Sequence, residues 1–184
     1  MDDDEAYILL LLSDSNLPTG SFVASSGLES FVKHGFASSS DSATINFIRD
    51  SLASYAHSAL PFASDAHRVV SRLNTQDRDD KNHNSMVMDD LSALDDLYDA
   101  MTLNHVGKRA SKSQGVALLS LYSKGFSRSP SLSEFLGGEL GDRESRMNNL
   151  FQVFKLRVRR GDGHGHLPVC WGALTAALGL TLGM

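Results

Sequence analysis

The chain of 184 residues contains a single cysteine, Cys170, so it can form no intrachain disulfide and cannot be a disulfide-stapled secreted scaffold. A reducing, cytoplasmic setting is the simplest expectation from that count. Long apolar runs are missing too. The longest near the N-terminus, Ala6 to Leu12, falls far short of the ~20 residues a membrane-spanning helix needs. It follows the acidic stretch Met1 to Glu5, where a secretory signal would be positive, so neither a targeting segment nor a membrane span is expected. No G-x-x-x-x-G-K-[ST] run is present to cradle phosphates, which excludes a P-loop NTPase. No G-x-S-x-G elbow presents a nucleophilic serine, so the many Ser, His and Asp residues lack the context of a hydrolase. A net charge of −5 with no basic, aromatic recognition motif argues against nucleic acid as a partner. No internal repeat and no strand-like alternation of apolar and polar residues is found.

What the sequence does contain is 41% hydrophobic and 21% charged residues, enough for one domain with a core. The charge is uneven. Between Asp77 and Asp99 eight aspartates stand against Arg78 and Lys81, whereas Lys108, Arg109 and Lys112 form one basic group and Arg143, Arg146, Lys155, Arg157, Arg159 and Arg160 another. Patches of both signs suit association with other proteins, although each taken alone is also what a solvated helix face looks like.

Helical spacing dominates the apolar pattern. Ile45, Ile48, Leu52, Tyr55 and Ala59 step by three and four, with Asp41 placed to cap the helix. The same step recurs in Leu91, Leu94, Tyr98 and Met101, in Val116, Leu119 and Tyr122, and in Met147, Leu150, Phe154 and Val158. Gly35 and Gly125 each follow a lysine-bearing turn and are expected to stop helices. Pro61 is expected to break or bend the segment 41–70 into two helices, and Pro168 suits the first turn of the last one. Ser131 to Glu134 reads as a capping box. A polar stretch from Asn74 to Ser85, extending to about residue 88, reads as a loop, and Gly161 to His166 as a glycine-rich turn. These features predict an all-α, single-domain bundle of about seven to eight helices over residues 1–184. Gly172, Ala173, Ala176, Ala177 and Gly179 in the last helix call for close packing, and its apolarity for burial on several sides.

One arrangement looks like metal ligands: His164 and His166 with Cys170, since imidazole and thiolate suit nickel, copper or zinc. Three donors are fewer than a structural site normally uses, and no cofactor is expected to be firmly bound. Leu11 to Glu29 has neither helical nor strand period. Its proline, two glycines and five serines indicate an irregular turn, which Leu17 and Phe22 pin to the core.

That segment resembles the N-terminal signature of the urease accessory protein F (UreF) family, an L-S-D-S-x-L-P-T-G-x-F turn followed by G-L-E, nearly residue for residue over Leu12 to Glu29. Two further blocks are similar to the family and stand in the same order. One is Leu94-Asp-Asp-Leu-Tyr98 with Arg109 to Gly115, Leu118 and Leu119; the other is His166-Leu-Pro-Val169 with Gly172-Ala-Leu174 and Ala177 to Leu180. The resemblance implies a helical, non-catalytic co-chaperone that binds the urease accessory protein D/H and the nickel-carrying GTPase G, coordinates GTP hydrolysis and serves nickel insertion into apo-urease. It also implies a tendency to form a homodimer. The positions it singles out for partner binding are Ser13, Asp14, Leu17, Pro18, Thr19, Gly20, Phe22, Gly27, Glu29, Arg109, Ser111 and Gly115. The family continues for several helices beyond the last block, so a shortened member with exposed apolar surface on its last helix is expected. Two other readings stand beside this one: a metallochaperone binding nickel directly through His164, His166 and Cys170, and a helical scaffold unrelated to urease.

Overall fold

The structure, a computed structural model, describes residues 3–14, 17, 27–36, 41–74, 81–127 and 139–182. Among them the chain forms seven α-helices and no strand: α1 (Asp3–Leu12), α2 (Leu28–Lys33), α3 (Asp41–Ser71), α4 (Lys81–Met101), α5 (His105–Leu121), α6 (Glu139–Arg160) and α7 (Leu167–Ala177). The fold is all-α, as the helical spacing predicts.

The last helix occupies the middle. α7 packs mainly against α3 and α5, and its Pro168, Val169, Cys170, Ala173, Leu174 and Ala176 are buried. Small residues permit this. A β-carbon at Gly172 would collide with the Ala63 carbonyl oxygen of α3, so the two backbones touch where only glycine fits. The core around α7 draws Phe62, Ala66 and Val70 from α3, Leu91 and Tyr98 from α4, Leu118 and Leu119 from α5, and Phe151 and Phe154 from α6. Because α7 is apolar on all sides and wedged between neighbours, the exposed apolar surface expected on the last helix is not there.

Met101 at the end of α4 and Val116 on α5 fall on the apolar steps read from the sequence but are exposed, and four other sequence expectations need correction. Pro61 does not divide the segment: α3 runs unbroken over 31 residues with the proline inside it. An interior proline costs about 3 kcal/mol or more, but Phe62, Val69 and Val70 just beyond it are buried, at ~1.5–3 kcal/mol each, which holds the helix together across the lost hydrogen bond. The face Ile45, Ile48, Leu52 and Tyr55 is outward and only Ala59 is buried, because the core begins in the second half of α3. The polar stretch is not a loop throughout: Asn74 closes a short 3-10 turn (Arg72–Asn74), and α4 begins at Lys81 and buries Val87 and Met88. Gly125 stops nothing, since it lies inside a π turn, Tyr122–Phe126, that extends α5 and closes with Ser127 N–H donating to the Tyr122 carbonyl at 2.9 Å.

Gly35 does end a helix. At φ 75° it lets its N–H reach the Val32 carbonyl (3.0 Å) and that of Phe36 reach Phe31 (3.1 Å), satisfying the free carbonyls of α2. Pro168 sits in the first turn of α7. The capping box at 131–134 lies outside the described residues.

Candidate functional site

Asp95 falls on the same face of α4 as Leu91 and Tyr98 and is fully buried with them. A bare carboxylate there would be very costly. The glycine-rich turn before α7 supplies what it needs: the backbone N–H groups of His164, Gly165 and His166 donate to it at 2.7, 2.7 and 2.8 Å. Gly165, at φ 68°, turns successive amides toward one acceptor, and the carboxylate sits at the positive end of α7. The turn also needs Gly115 on α5, where a β-carbon would overlap the Gly165 carbonyl oxygen.

Above this base lies His166, fully buried, with Nδ1 3.1 Å from Ser111 Oγ and Nε2 3.0 Å from Asp99 Oδ1. Burial pushes the His166 ring below its ordinary value, against the opposing pull of Asp99 and Asp95 and with help from Lys112. The ring is therefore neutral near pH 7. Asp99 would be raised by burial, but hydrogen bonds from Lys112, Lys108 and His166 hold it well below the usual carboxylate range. With Asp99 ionised, Nε2 carries the proton and donates to it, leaving Nδ1 to accept from Ser111, whose oxygen in turn accepts the Leu167 N–H at 3.1 Å.

The cluster opens to solvent at its rim. Lys108 and Lys112 reach Asp99 at 2.9 and 2.7 Å with about 30% of each side chain exposed. His164 Nδ1 lies 3.0 Å from Lys112 Nζ, and its Nε2 lies 3.4 Å from the exposed Asp96.

Ser111, His166 and Asp99 are a Ser-His-Asp constellation by content, yet the geometry serves no acyl transfer. The serine oxygen is buried and engaged by Leu167, and neither the cavity between α4 and α6 nor the one between α2 and α3 is lined by Ser111, His166 or Asp99. The nearby backbone amides that could stabilise an oxyanion are all committed to Asp95. Nor do the three donors expected for a metal form a ligand set. Both ring nitrogens of His166 are taken, and burial, aided by the charge of Asp95, pushes the Cys170 thiol far up, so it offers no thiolate. Among the described residues no group of three or more His, Cys, Asp or Glu side chains is arranged to hold a metal ion.

Of the positions read from the sequence, the structure brings together Ser111, Gly115, His164 and His166. Arg109 is exposed and contributes no contact to the cluster, and Cys170 belongs to the core. Ser13, Asp14 and Leu17 close the end of α1 with local bonds: Ser13 Oγ donates to Leu9 O (2.7 Å) and Leu17 N–H to Asp14 O (3.1 Å), while Leu17 packs against the core. Gly27, at φ 90°, precedes α2, whose Glu29 is exposed. Pro18, Thr19, Gly20 and Phe22 lie outside the described residues. Asp95 and Asp96 lie in the family-like block Leu94 to Tyr98, Lys112 lies in the block Arg109 to Gly115, and the acidic stretch Asp89 to Asp99 is a sequence candidate for rim contacts, but the joining of Asp95, Asp96, Asp99, Lys108 and Lys112 with His166 in one cluster is not legible there. The i, i+4 spacing of Asp95 and Asp99 on α4 and of Lys108 and Lys112 on α5 is the available signal.

The chain matches the UreF family over residues 39–184. It is 38% identical to Urease accessory protein 6 of Cryptococcus neoformans var. grubii serotype A over 204 residues, covering 96% of this chain and 63% of that protein. It is 28% identical to an uncharacterised UreF-like urease accessory protein of Schizosaccharomyces pombe over 178 residues, 97% of this chain and again 63% of the relative. The chain thus spans less than two thirds of the length of these curated relatives. No solved structure matches it significantly. Two of the three sequence blocks meet at the buried Asp95–His166 cluster, and with the match over residues 39–184 they lead to one conclusion: the chain belongs to the UreF family.

Proposed function

We propose that this chain is a non-catalytic accessory protein of urease maturation, acting in the cytoplasm by binding other proteins of the maturation complex. The partners are the accessory protein D/H, the GTPase G and, through them, apo-urease; nickel is the cargo of the complex and is not held by this chain. The observation that supports the reading is the contrast between the base and rim of the cluster. Asp95, His166 and Ser111 are buried and engaged, so they do no chemistry on a substrate, whereas Asp96, Lys108, Lys112 and His164 stand partly exposed on a rigid base. A fixed pattern of both charge signs at a surface suits recognition and steering of a partner. Family membership supports the identity of that partner set.

The test is co-purification of the chain with the D/H protein and the GTPase by size-exclusion chromatography, using wild type and an Asp96→Ala/His164→Ala double variant that alters only the exposed rim. The expected result is a complex with wild type that the variant weakens while its circular dichroism and melting stay unchanged. Soluble, folded wild-type protein that joins neither partner sinks the proposal.

A further inference from the structure

A cavity of about 220 Å³ lies between the first turns of α4 and the middle of α6, away from the Asp95–His166 cluster. Its polar lining consists of Arg146, Arg157 and Asn149 from α6 with Asn84 and Ser85 from α4. Among the described residues no carboxylate lines it. The two arginines differ in state. Arg157 is already matched, donating to Asp89 at 3.1 Å and to Ser92 at 2.9 Å. Arg146 forms no ion pair among the described residues, and its Nε is buried with no hydrogen-bond partner. A guanidinium donor removed from water without an acceptor is costly to keep, and a charged acceptor is the group that relieves it best. The rest of the wall is apolar, from Met88, Leu150 and Val153.

We propose that this cavity binds a single carboxylate carried on a short aliphatic stem, with Arg146 as its anchor. One arginine without an ion pair among the described residues matches one negative charge, which favours a carboxylate over a doubly charged phosphate. The amides of Asn84 and Asn149 and the hydroxyl of Ser85 are the further donors in the wall, and Met88, Leu150 and Val153 receive the methylenes. The volume is several times the ~30 Å³ share of one water, room for a carboxylate and a few carbons. The same chemistry is offered by a small free acid and by a glutamate side chain of a partner. The site stands independently of the urease reading, because its argument uses no residue of the Asp95–His166 cluster.

The test is an NMR titration of the full chain that follows the Arg146 Nε–H and the Met88 methyl group. Probes are butyrate, butyramide, inorganic phosphate and the capped tripeptide acetyl-Leu-Glu-Leu-amide. The expected result is a saturable shift with butyrate that butyramide does not produce. In Arg146→Gln the concentration for half-saturation should rise at least tenfold, and Arg146→Lys, which keeps the charge but loses the planar fork, should fall between. Circular dichroism checks that each variant is folded, and the lysine variant carries the comparison if the glutamine one is not. Tighter binding of the tripeptide than of butyrate assigns the carboxylate to a polypeptide side chain, and the reverse order assigns it to a free acid. The proposal is overturned by no saturable shift with either acid, by equal shifts from butyramide, by phosphate binding more tightly than both acids, or by folded variants that bind as wild type does.

Discussion

Gly115 and the carbonyl oxygen of Gly165 lie so close that no β-carbon fits between α5 and the turn entering α7. Gly115→Ala must therefore push that turn away from Asp95, and a loss of about 1–3 kcal/mol is expected, typical of forced overpacking. Gly107→Ala on the same helix is the control. Its β-carbon would meet only the Asn104 side chain, at 3.9 Å, so stability should hold or rise by up to ~1 kcal/mol. Urea denaturation of both variants measures the contrast, and equal effects would contradict the close approach.

The three amide bonds to Asp95 make its charge structural. Asp95→Asn keeps the shape but replaces one acceptor oxygen by an NH2 group facing amide donors. A loss of about 3 kcal/mol or more is expected, as for other broken buried charge-assisted networks. Hydrogen exchange at the amides of 164–166 should speed up at the same time. Protection equal to wild type would show that the carboxylate is not what holds the turn.

Acid should destabilise the protein in two stages. The folded chain keeps His166 neutral below its ordinary value of 6.5, so as pH falls past 6.5 protons bind the unfolded chain first and stability drops. His67, shifted the same way by burial and by Arg68, adds to this stage. Asp99 is held ionised below its ordinary 3.8, so its contribution is intact above that pH and is lost beneath it. Denaturation midpoints measured from pH 8 to 2 should follow this course, and His166→Gln should reduce the slope of the first stage. A flat profile between pH 7 and 5 would refute the neutral buried ring.

His164 belongs to the rim, and its removal should leave the fold alone. His164→Ala forfeits the side-chain contacts to Lys112 and Asp96 while the backbone N–H still serves Asp95, so stability should change by no more than ~0.5 kcal/mol. Nickel binding by equilibrium dialysis is expected to be non-saturable in wild type and variant alike. One saturable site lost in His164→Ala would revive the direct metallochaperone reading.

Much of the fold was legible because period is a local property. Spacing alone places Leu91, Tyr98, Leu119, Tyr122, Met147, Leu150 and Phe154 on inward faces, and these are buried, whereas Met101 and Val116 of the same series are exposed. Gly35 and Pro168 marked a helix end and a helix start for backbone reasons that need no neighbours. The same logic failed at Pro61 and at Ile45 to Tyr55, because burial depends on what stands opposite. Half of the candidate site was legible through the blocks containing Ser111, Gly115 and His166. Asp95 and Asp96 also stand in such a block, but as sequence they and Asp99 read as a charged helix face, since nothing local tells that Asp95 is buried.

The sequence by itself determined the all-α class, the close-packed last helix and the family, because each rests on local spacing or on ordered motifs. Only the tertiary structure decided that Asp95 is buried beneath three amides, that His166 is neutral between Ser111 and Asp99, and that Cys170 is core and not ligand. The physical reason is that desolvation and hydrogen bonding are set by residues 55 to 71 positions apart, a relationship that exists only once α4, α5 and the turn before α7 have come together.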